Sequence, residues 1–320
     1  MSIEAFIAEW NNDSPFVHVQ TSGSTGAPKP MLVEKQRMLN SARITCDFLG
    51  LQPGDSALLC MSLDYIAGKM MVVRALERRL KLITVAPSGH PLSGMMDDIH
   101  FAAMVPMQVY NSMQEPAERE RLMQIRHLII GGGAIDDDLA AALSTFPHHV
   151  WSTYGMTETL SHIALHRLNG PDASDWYTPF PSVKVSLNAD DCLVIEAPQV
   201  CPERLVTNDI AELSDGRFRI VGRKDNVICS GGIKIQIETV ERQLRPHLLV
   251  PFLITKCPDA KFGEVVVLLT EGAVDEARKV CAQVLSKYHQ PKVYLHVDKI
   301  PLTETGKPAR QQAEIIAKNR

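Results

Sequence analysis

The sequence predicts an α/β protein in which a large N-terminal domain, with a parallel sheet and a barrel-like β module, precedes a smaller C-terminal domain. Three observations lead to this prediction. The chain has 320 residues, 45% of them apolar, which is enough for about two domains with cores of their own. Short apolar runs alternate with helical patterns in the first half. Short strands and turns then follow from about residue 183.

The first half of the chain predicts buried strands separated by helices. An apolar stripe at helical spacing predicts a helix over residues 38–49, and a second helix is expected over 67–76. Apolar runs predict strands at 57–61, 82–85 and 127–130. Buried strands that alternate with helices are typical of a parallel sheet covered by helices on its faces.

The second half of the chain changes its pattern twice. Short strands and turns over residues 183–221 predict an antiparallel or barrel-like module. A further unit of strands and helices begins after Gly222, and its first helix is expected to end before Pro246. We therefore expect two domains, with residues 1–222 in the first and residues 223–320 in the second.

Composition excludes several classes of protein. With 33 basic and 37 acidic side chains, the chain is not built to coat nucleic acid or an anionic membrane. It has no apolar run of about 18 residues, and its N-terminus lacks the features of a secretory signal, so we expect a cytoplasmic protein without a transmembrane segment. The seven scattered cysteines predict core side chains rather than a disulfide framework or a zinc site.

A hydroxyl-rich loop over residues 21–29 is the first stretch that suggests chemistry. The candidate phosphate-binding residues of this loop are Thr21, Ser22, Gly23, Ser24, Thr25, Gly26 and Lys29. Small residues expose backbone N–H groups, and hydroxyls and an ammonium lie beside them, which is the chemistry that holds phosphate oxygens. The Walker pattern is absent. A flexible linker is the alternative interpretation of the same composition.

Two further stretches follow predicted strands. The stretch 153–159 combines a carboxylate, hydroxyls and an aromatic ring, a set that can hold magnesium, phosphate and a purine face. Its candidate residues are Tyr154, Gly155, Met156, Thr157 and Glu158. Gly132, Gly133 and Ala134 would let a flat ligand approach the backbone at the end of another strand. An ordinary loop and an ordinary turn are the alternatives.

Three later stretches complete the set. Asp209 can accept hydrogen bonds from vicinal ribose hydroxyls, with Arg223 beside it, although hairpin surface charge is the alternative. The glycine pair Gly231–Gly232 permits a close approach to the backbone. A turn near the C-terminus presents Lys307, which could also belong to a basic tail.

Taken in order, these stretches closely resemble the adenylate-forming superfamily of acyl-CoA ligases over residues 17–310. The resemblance implies a two-step reaction with ATP, Mg²⁺ and coenzyme A, in which an acid is activated as an acyl-adenylate and then transferred to a thiol. It implies that the domain after residue 222 is a mobile α+β lid. It also implies that family members carry a longer segment before the hydroxyl-rich loop, so a shortened N-terminal domain must cover its sheet differently or form a homodimer.

The resemblance assigns roles to individual residues. Lys29 and its loop would grip the β- and γ-phosphates, Tyr154 would stack on adenine, and Glu158 would bind magnesium. Asp209, assisted by Arg223, would bind the ribose. Lys307 would be the catalytic lysine. Asp225 would be the hinge of the lid, and Gly231 and Gly232 would line the coenzyme A channel.

The helix that begins at Tyr65 marks the region where this family binds its acid. Tyr65 stands where many acyl-CoA ligases have a histidine, which leaves the floor of the acyl pocket open. Lys69 and Arg74 follow on the same helix, and a cation there suits an acid with a second carboxylate. This pattern is similar to short bacterial o-succinylbenzoate–CoA ligases. Other aromatic or short-chain acyl-CoA ligases, and a non-catalytic adenylate-binding module, are the alternatives.

Overall fold

The structure, a computed structural model, describes residues 1–20, 30–303 and 308–319. The chain divides into two compact units. The first comprises Met1–Ser186, Val194–Leu205 and Leu213–Arg219. The second comprises Leu187–Leu193, Val206–Glu212 and the residues from Ile220 onward. Because two short segments before residue 220 group with the second unit, the domain boundary at Gly222–Arg223 stays a prediction.

The first unit is built on a sheet to which seven strands of the described chain contribute, in the order β4-β3-β5-β6-β7-β8-β9. These strands are β3 (Ser56–Leu59), β4 (Lys81–Thr84), β5 (Phe101–Met104), β6 (His127–Ile130), β7 (His149–Gly155), β8 (His162–Arg167) and β9 (Thr178–Pro179). The pairs from β4 to β7 are parallel, whereas β8 and β9 continue the sheet antiparallel. The predicted parallel sheet is confirmed.

Helices cover both faces of this sheet. The helices of the first unit are α1 (Ile3–Asn11), α2 (Lys35–Leu49), α3 (Ile66–Arg78), α4 (Pro106–Gln114), α5 (Pro116–Gln124) and α6 (Asp137–Leu143). Alternate strand residues such as Leu58, Ala102 and Leu128 form a buried cluster with side chains of α4, α5 and α6. Side chains of successive strand residues point to opposite faces. The opposite face of the sheet contacts α3, which packs against α2.

Helix α2 illustrates how the sequence specifies an element. Met38, Ala42, Thr45 and Leu49 are buried, which confirms the predicted apolar stripe. The helix ends at Gly50, which has φ +66° and donates its N–H to the carbonyls of the last turn. Left-handed backbone at this position is the common way to end a helix, and glycine adopts it without steric cost.

A two-stranded antiparallel ribbon of β1 (Phe16–Gln20) and β2 (Pro30–Glu34) precedes α2. Its register places Gln20 opposite Pro30, so the hydroxyl-rich loop joins the two strands. Helix α1 lies earlier in the chain, and its Phe6 is fully buried.

The predicted module of short strands is also present. It is a four-stranded sheet in which each strand pairs with the next along the chain, and its residues are divided between the two units. The strands are β10 (Lys184–Leu187), β11 (Cys192–Ala197), β12 (Cys201–Ser214) and β13 (Arg217–Arg223).

The second unit has an α+β core. Its strands are β14 (Val227–Ser230), β15 (Ile233–Gln236), β16 (Phe252–Asp259), β17 (Gly263–Thr270) and β18 (Val293–His296). Its helices are α7 (Ile237–Leu244), α8 (Val274–Val284) and α9 (Arg310–Lys318). Apolar residues of α7 and α8 pack in one buried cluster, and those of α9 pack in another. The α+β character expected of this part of the chain is confirmed.

Two sequence expectations concern the chain as a whole. Six of the seven cysteines are buried and Cys229 is exposed, and all seven are free thiols, so most of them pack as core side chains. Across the described ranges, the helices are all too short or too polar to cross a bilayer.

Candidate active site

The ends of β6 and β7 bring two of the predicted motifs together. Both strands are parallel, and Ile130 pairs with Ser152, so Gly131 lies beside Thr153. A Cβ atom on Gly131 would lie 2.3 Å from the Thr153 Oγ1 atom, so any other residue there would force the Thr153 side chain to move. Ligands of open α/β sheets bind at the carboxyl ends of strands, and both motifs lie there.

Gly132, Gly133 and Ala134 continue from this strand end as exposed backbone. Gly132 has φ +80°, a left-handed conformation that strongly favours glycine. The segment therefore presents main chain rather than side chains to solvent, which suits contact with the face of a flat ligand such as a purine.

Tyr154 is half-buried near the end of β7. The centroid of its ring lies 5.1 Å from that of Phe218 at an interplanar angle of 79°, and 5.8 Å from that of Tyr177. Tyr177 is fixed in turn by a hydrogen bond of 2.9 Å between its hydroxyl and that of Ser152. Packing against these two rings restricts the orientation of the Tyr154 ring.

Glu158 is exposed on a single 3₁₀ turn, Thr157–Thr159, directly after β7. The buried Thr159 side chain holds this turn, because its Oγ1 accepts from the Met156 N–H at 3.0 Å and donates to the Ser161 carbonyl at 2.8 Å. Gly155 is needed at the start of the turn, since a Cβ atom there would lie 2.2 Å from the Ser161 oxygen. The geometry presents Thr157 and Glu158 outward from the strand end.

The residues at this turn fit a magnesium ion that also binds phosphate. Mg²⁺ is usually held by one or two carboxylates together with waters and substrate phosphates, so a single exposed Glu158 is sufficient. Within the described ranges, no group of three or more His, Cys, Asp or Glu side chains could enclose a metal ion by itself.

Several predicted residues lie outside the described residues. They are Thr21, Ser22, Gly23, Ser24, Thr25, Gly26, Lys29 and Lys307. The segments on either side of Lys307 are held by an isolated bridge between Leu302 and Pro308, and by Arg310, which forms a buried ion pair of 2.6 Å with Glu241.

Helix α3 places Tyr65 and Lys69 at its start. Tyr65 is half-buried at the N-cap, and the first turn approaches the preceding chain so closely that a Cβ atom on Gly68 would lie 2.3 Å from the Ser62 oxygen. Lys69 is 3% exposed and its ammonium donates to the backbone carbonyl of His18 in β1. This contact fixes the ribbon to α3, so the Lys69 ammonium already has a partner within the protein, and its role toward an acid stays a prediction.

Arg74, also on α3, lies in a different environment. It is 2% exposed, and its guanidinium donates to the Ser161 hydroxyl at 2.6 Å and approaches the Met71 sulfur at 3.8 Å. Among the described residues its Nε has no hydrogen-bond partner and no carboxylate forms an ion pair with it. Burial lowers the pKa of Arg74 to about 10, and the nearby Cys46 raises it only in part. A buried cation without a counter-ion is costly, which indicates a place for an anionic ligand group.

Two residues of this region were missed by the sequence reasoning. Ser161 and His162 follow the Tyr154–Thr159 motif directly, and both belong to a hydrogen-bonded group around Arg74. Their proximity to a recognised motif was the only signal in the sequence, because Ser161 contacts α3 across 87 positions and His162 contacts α2 across 117.

The second unit carries the candidate ribose-binding residues. The Asp209 carboxylate lies 3.3 Å from the guanidinium of Arg223. Asp225, the predicted hinge, accepts hydrogen bonds from Asn208 at 3.1 Å and from Arg223 at 3.3 Å. The two predicted motifs are therefore linked through Arg223 within this unit.

Gly231 and Gly232 form the turn between β14 and β15. Both have positive φ, +58° and +84°, which makes glycine the favoured residue at each position. Gly231 donates its N–H to the Phe262 carbonyl at 2.8 Å. The pair is thus explained as a turn, and its predicted role in a thiol channel stays a prediction.

Known proteins place this architecture in a family. Residues 5–199, more than half of the chain, match the family model of the AMP-binding enzyme. The chain is 28% identical to the 2-succinylbenzoate–CoA ligase of Salmonella typhimurium over 92% of this chain and 67% of that enzyme. It is 26% identical to the enzyme of the same name from Escherichia coli, over 91% of this chain and 66% of that enzyme. The chain thus spans about two thirds of the length of these relatives.

Solved structures show the same fold. An acyl-CoA synthetase (AMP-forming)/AMP-acid ligase II-like protein from Dyadobacter fermentans superposes with a TM-score of 0.67 at 34% identity, over 96% of this chain and 91% of that one. The O-succinylbenzoate coenzyme A synthetase of Bacillus subtilis, solved with ATP and magnesium ion, gives a TM-score of 0.76 at 21% identity, over 92% and 69%. The chain belongs to the AMP-binding enzyme family, the adenylate-forming enzymes that include the acyl-CoA ligases.

Proposed function

We propose that the chain activates an aromatic dicarboxylic acid, o-succinylbenzoate, with ATP and transfers it to coenzyme A. As a member of its family the chain is an AMP-forming acyl-CoA ligase that uses ATP, Mg²⁺ and coenzyme A. The observation that carries the proposal for the acid is Arg74, a buried cation for which the described residues supply no carboxylate. The names of the curated relatives support the same acid.

In the first half-reaction, a carboxylate oxygen of the acid attacks the α-phosphorus of ATP and pyrophosphate leaves. Tyr154 and the Gly132–Ala134 backbone hold adenine, and Thr157 contacts the α-phosphate. Asp209 and Arg223 bind the ribose. Magnesium, when bound at Glu158, supplies positive charge to the phosphate oxygens. Lys29 and Lys307 supply further cations where negative charge develops, which is how such sites stabilise a transition state.

Arg74 gives the reaction its selectivity. A second carboxylate that reaches this guanidinium forms a charge-assisted pair in a site shielded from water, where the interaction is strong. A monoacid of the same shape leaves the buried charge unpaired. Discrimination is large when a polar group of the site loses its partner.

In the second half-reaction, the thiol sulfur of coenzyme A attacks the acyl carbon and AMP leaves. We propose that the lid, residues 223–320, then turns about Asp225. The Gly231–Gly232 turn, which offers backbone without side chains, would line the path of the thiol. The contacts of Asp225 with Asn208 and Arg223 would restrain this movement.

Pyrophosphate release over a panel of acids tests the proposal. We expect o-succinylbenzoate to give the highest kcat/KM, well above the two monoacid analogues that each lack one of its carboxylates. In Glu158→Gln, release should fall by about 10²-fold with every acid, because the variant keeps the shape of the side chain but loses the charge that binds magnesium.

Two results would contradict the proposal. Faster release with benzoates or fatty acids than with o-succinylbenzoate would assign a different acyl-CoA ligase activity. Binding of ATP without release for any acid would indicate an adenylate-binding module without turnover.

A further inference from the structure

We propose that Ser161 and His162 form a relay that orients Arg74 toward the second carboxylate of the acid, which makes both of them positioning residues for substrate selectivity. The proposal rests on the function proposed above, because it concerns the same acid-binding cation. The relay joins three elements of the first unit: Thr45 on α2, Ser161 and His162 at the start of β8, and Arg74 on α3.

The relay consists of consecutive hydrogen bonds. The Thr45 hydroxyl lies 3.0 Å from the Ser41 carbonyl and 3.1 Å from the Nε2 atom of His162. The Nδ1 atom of His162 lies 3.2 Å from the Ser161 hydroxyl. That hydroxyl lies 2.6 Å from the Nη2 atom of Arg74. Thr45, His162 and Arg74 are all buried, so water does not compete for these groups.

With a neutral His162 ring, one arrangement of protons satisfies every contact. A carbonyl can only accept, so Thr45 donates its single proton to Ser41, and His162 must then donate from Nε2. The guanidinium of Arg74 can only donate, so Ser161 accepts from it and donates its own proton to the free Nδ1 lone pair of His162. In this arrangement His162 is neutral and carries its proton on Nε2.

The surroundings favour this state of the histidine. Burial, and after it the positive charge of Arg74, keep the pKa of His162 well below its usual value. A protonated ring would also present an N–H to Ser161, and the Ser161 hydroxyl proton would then lose the Nδ1 atom as its acceptor. The neutral ring instead acts as an acceptor that aligns the Ser161 lone pairs with the guanidinium.

The relay orients Arg74 without neutralising it. The residues that hold it, Thr45, Ser161 and His162, are uncharged, whereas a carboxylate at the position of Ser161 would have compensated the cation and removed its attraction for a substrate. One Nη2 donor is used by Ser161, and the Nε atom has no partner among the described residues. The guanidinium group of arginine is planar and binds a carboxylate through two N–H donors. Fixing its Nη2 atom therefore also fixes the direction of its remaining N–H groups.

The test compares two substitutions of His162 that keep different atoms. His162→Asn keeps an amide group at the position of Nδ1, whereas His162→Gln carries its amide at the position of Nε2 and gives Ser161 no acceptor. For the diacid, KM should rise about tenfold in His162→Gln and in Ser161→Ala, the effect of one hydrogen bond to a charged group, with kcat little changed. In His162→Asn it should stay within about threefold of wild type.

A matched control separates positioning from loss of packing. Ser112 is also a buried serine whose hydroxyl bonds a side chain, Glu118 at 2.8 Å, but it lies on α4 among residues remote from the relay. Ser112→Ala should leave the ratio of diacid to monoacid kcat/KM unchanged. The same ratio should fall in His162→Gln and Ser161→Ala, because only the diacid uses the orientation of Arg74.

A spectroscopic measurement tests the proton arrangement without any substrate. In the intact protein with ¹⁵N-labelled histidine at pH 7, the His162 ring should be neutral with its proton on Nε2, and its Nδ1 resonance should move in Ser161→Ala. A proton on Nδ1, or a charged ring, overturns the relay.

The kinetic outcomes distinguish the two proposals. If wild-type enzyme prefers the diacid and Arg74→Ala abolishes that preference, while His162→Gln and Ser161→Ala retain it, the relay is wrong and the proposed function stands. If neither the wild type nor Arg74→Ala distinguishes diacid from monoacid, the proposed function fails and the role of the relay fails with it.

Discussion

Helix α3 carries one buried cation at its start and another in its middle, and the two differ in how far the surrounding protein compensates their charge. Lys69 in the first turn and Arg74 in the middle are both almost completely buried. Five positions along a helix rotate a side chain by roughly 140°, so the two cations point to different surroundings. Lys69 donates to the β1 carbonyl of His18, and the negative charges of Glu9 and Asp64 act on it. Arg74, by contrast, contacts two uncharged groups, the hydroxyl of Ser161 and the sulfur of Met71.

This difference is the reason why we propose a structural role for Lys69 and a binding role for Arg74. Burial lowers the pKa of Lys69, but Glu9 and Asp64 oppose that shift, so the protein compensates part of its charge. Among the described residues, the Cys46 thiol alone opposes the lowering of the Arg74 pKa, and this thiol is itself buried with a pKa raised to about 11. Charge left uncompensated by the protein is available to a ligand.

The largest effect should come from Arg74→Ala. Loss of the partner of a buried carboxylate costs about 2–4 kcal/mol, so KM for the diacid should rise roughly 30- to 700-fold while KM for ATP stays close to wild type. Steady-state pyrophosphate release measures both constants. An equal loss for diacid and monoacid analogues would mean that Arg74 is structural, and the contrast with Lys69 would disappear.

Lys69→Met should have an intermediate effect of a different kind. Methionine keeps much of the length of the side chain but leaves the His18 carbonyl without its donor, so we expect the free energy of unfolding to fall by about 1–2 kcal/mol. Urea denaturation of the full chain measures it. The ratio of diacid to monoacid kcat/KM should not change. A selective loss of the diacid would return Lys69 to the acid site.

The smallest effect should come from Glu9→Gln and should depend on pH. Burial alone would raise the pKa of Glu9, but the backbone N–H and the ring of His18, together with the charge of Lys69, bring it below its usual value. A carboxylate whose pKa is lower in the folded state stabilises the protein above its unfolded pKa of about 4.5, and this contribution is lost as the pH falls through the folded pKa.

Glu9→Gln removes that contribution, because an amide does not titrate. Between pH 7 and pH 4 the free energy of unfolding should fall less in the variant than in wild type. The difference between the two proteins should be less than about 1 kcal/mol, because Glu9 is partly solvated. Denaturation curves at the two pH values measure the difference. Identical pH dependence in both proteins would show that Glu9 does not compensate Lys69.

Much of the fold follows from local patterns. The buried stripe of α2, the parallel strands and the glycines at strand ends all appear where the spacing of residue types predicts them. Boundaries differ by a few residues: β3 spans Ser56–Leu59 rather than 57–61, and α3 spans Ile66–Arg78 rather than 67–76. The ends of these elements depend on caps and strand pairing, which periodicity does not report.

The order of the motifs by itself determined the family and the class of chemistry, because each motif carries residue types that phosphate, ribose or a purine requires. The sequence also placed two cations on one helix, and it could not rank them. Only the tertiary structure shows that Lys69 donates to the backbone of β1, whereas Arg74 donates to the Ser161 hydroxyl. Ser161 and His162 reach α3 and α2 across 87 and 117 positions, so their roles arise from long-range packing, which local composition does not encode.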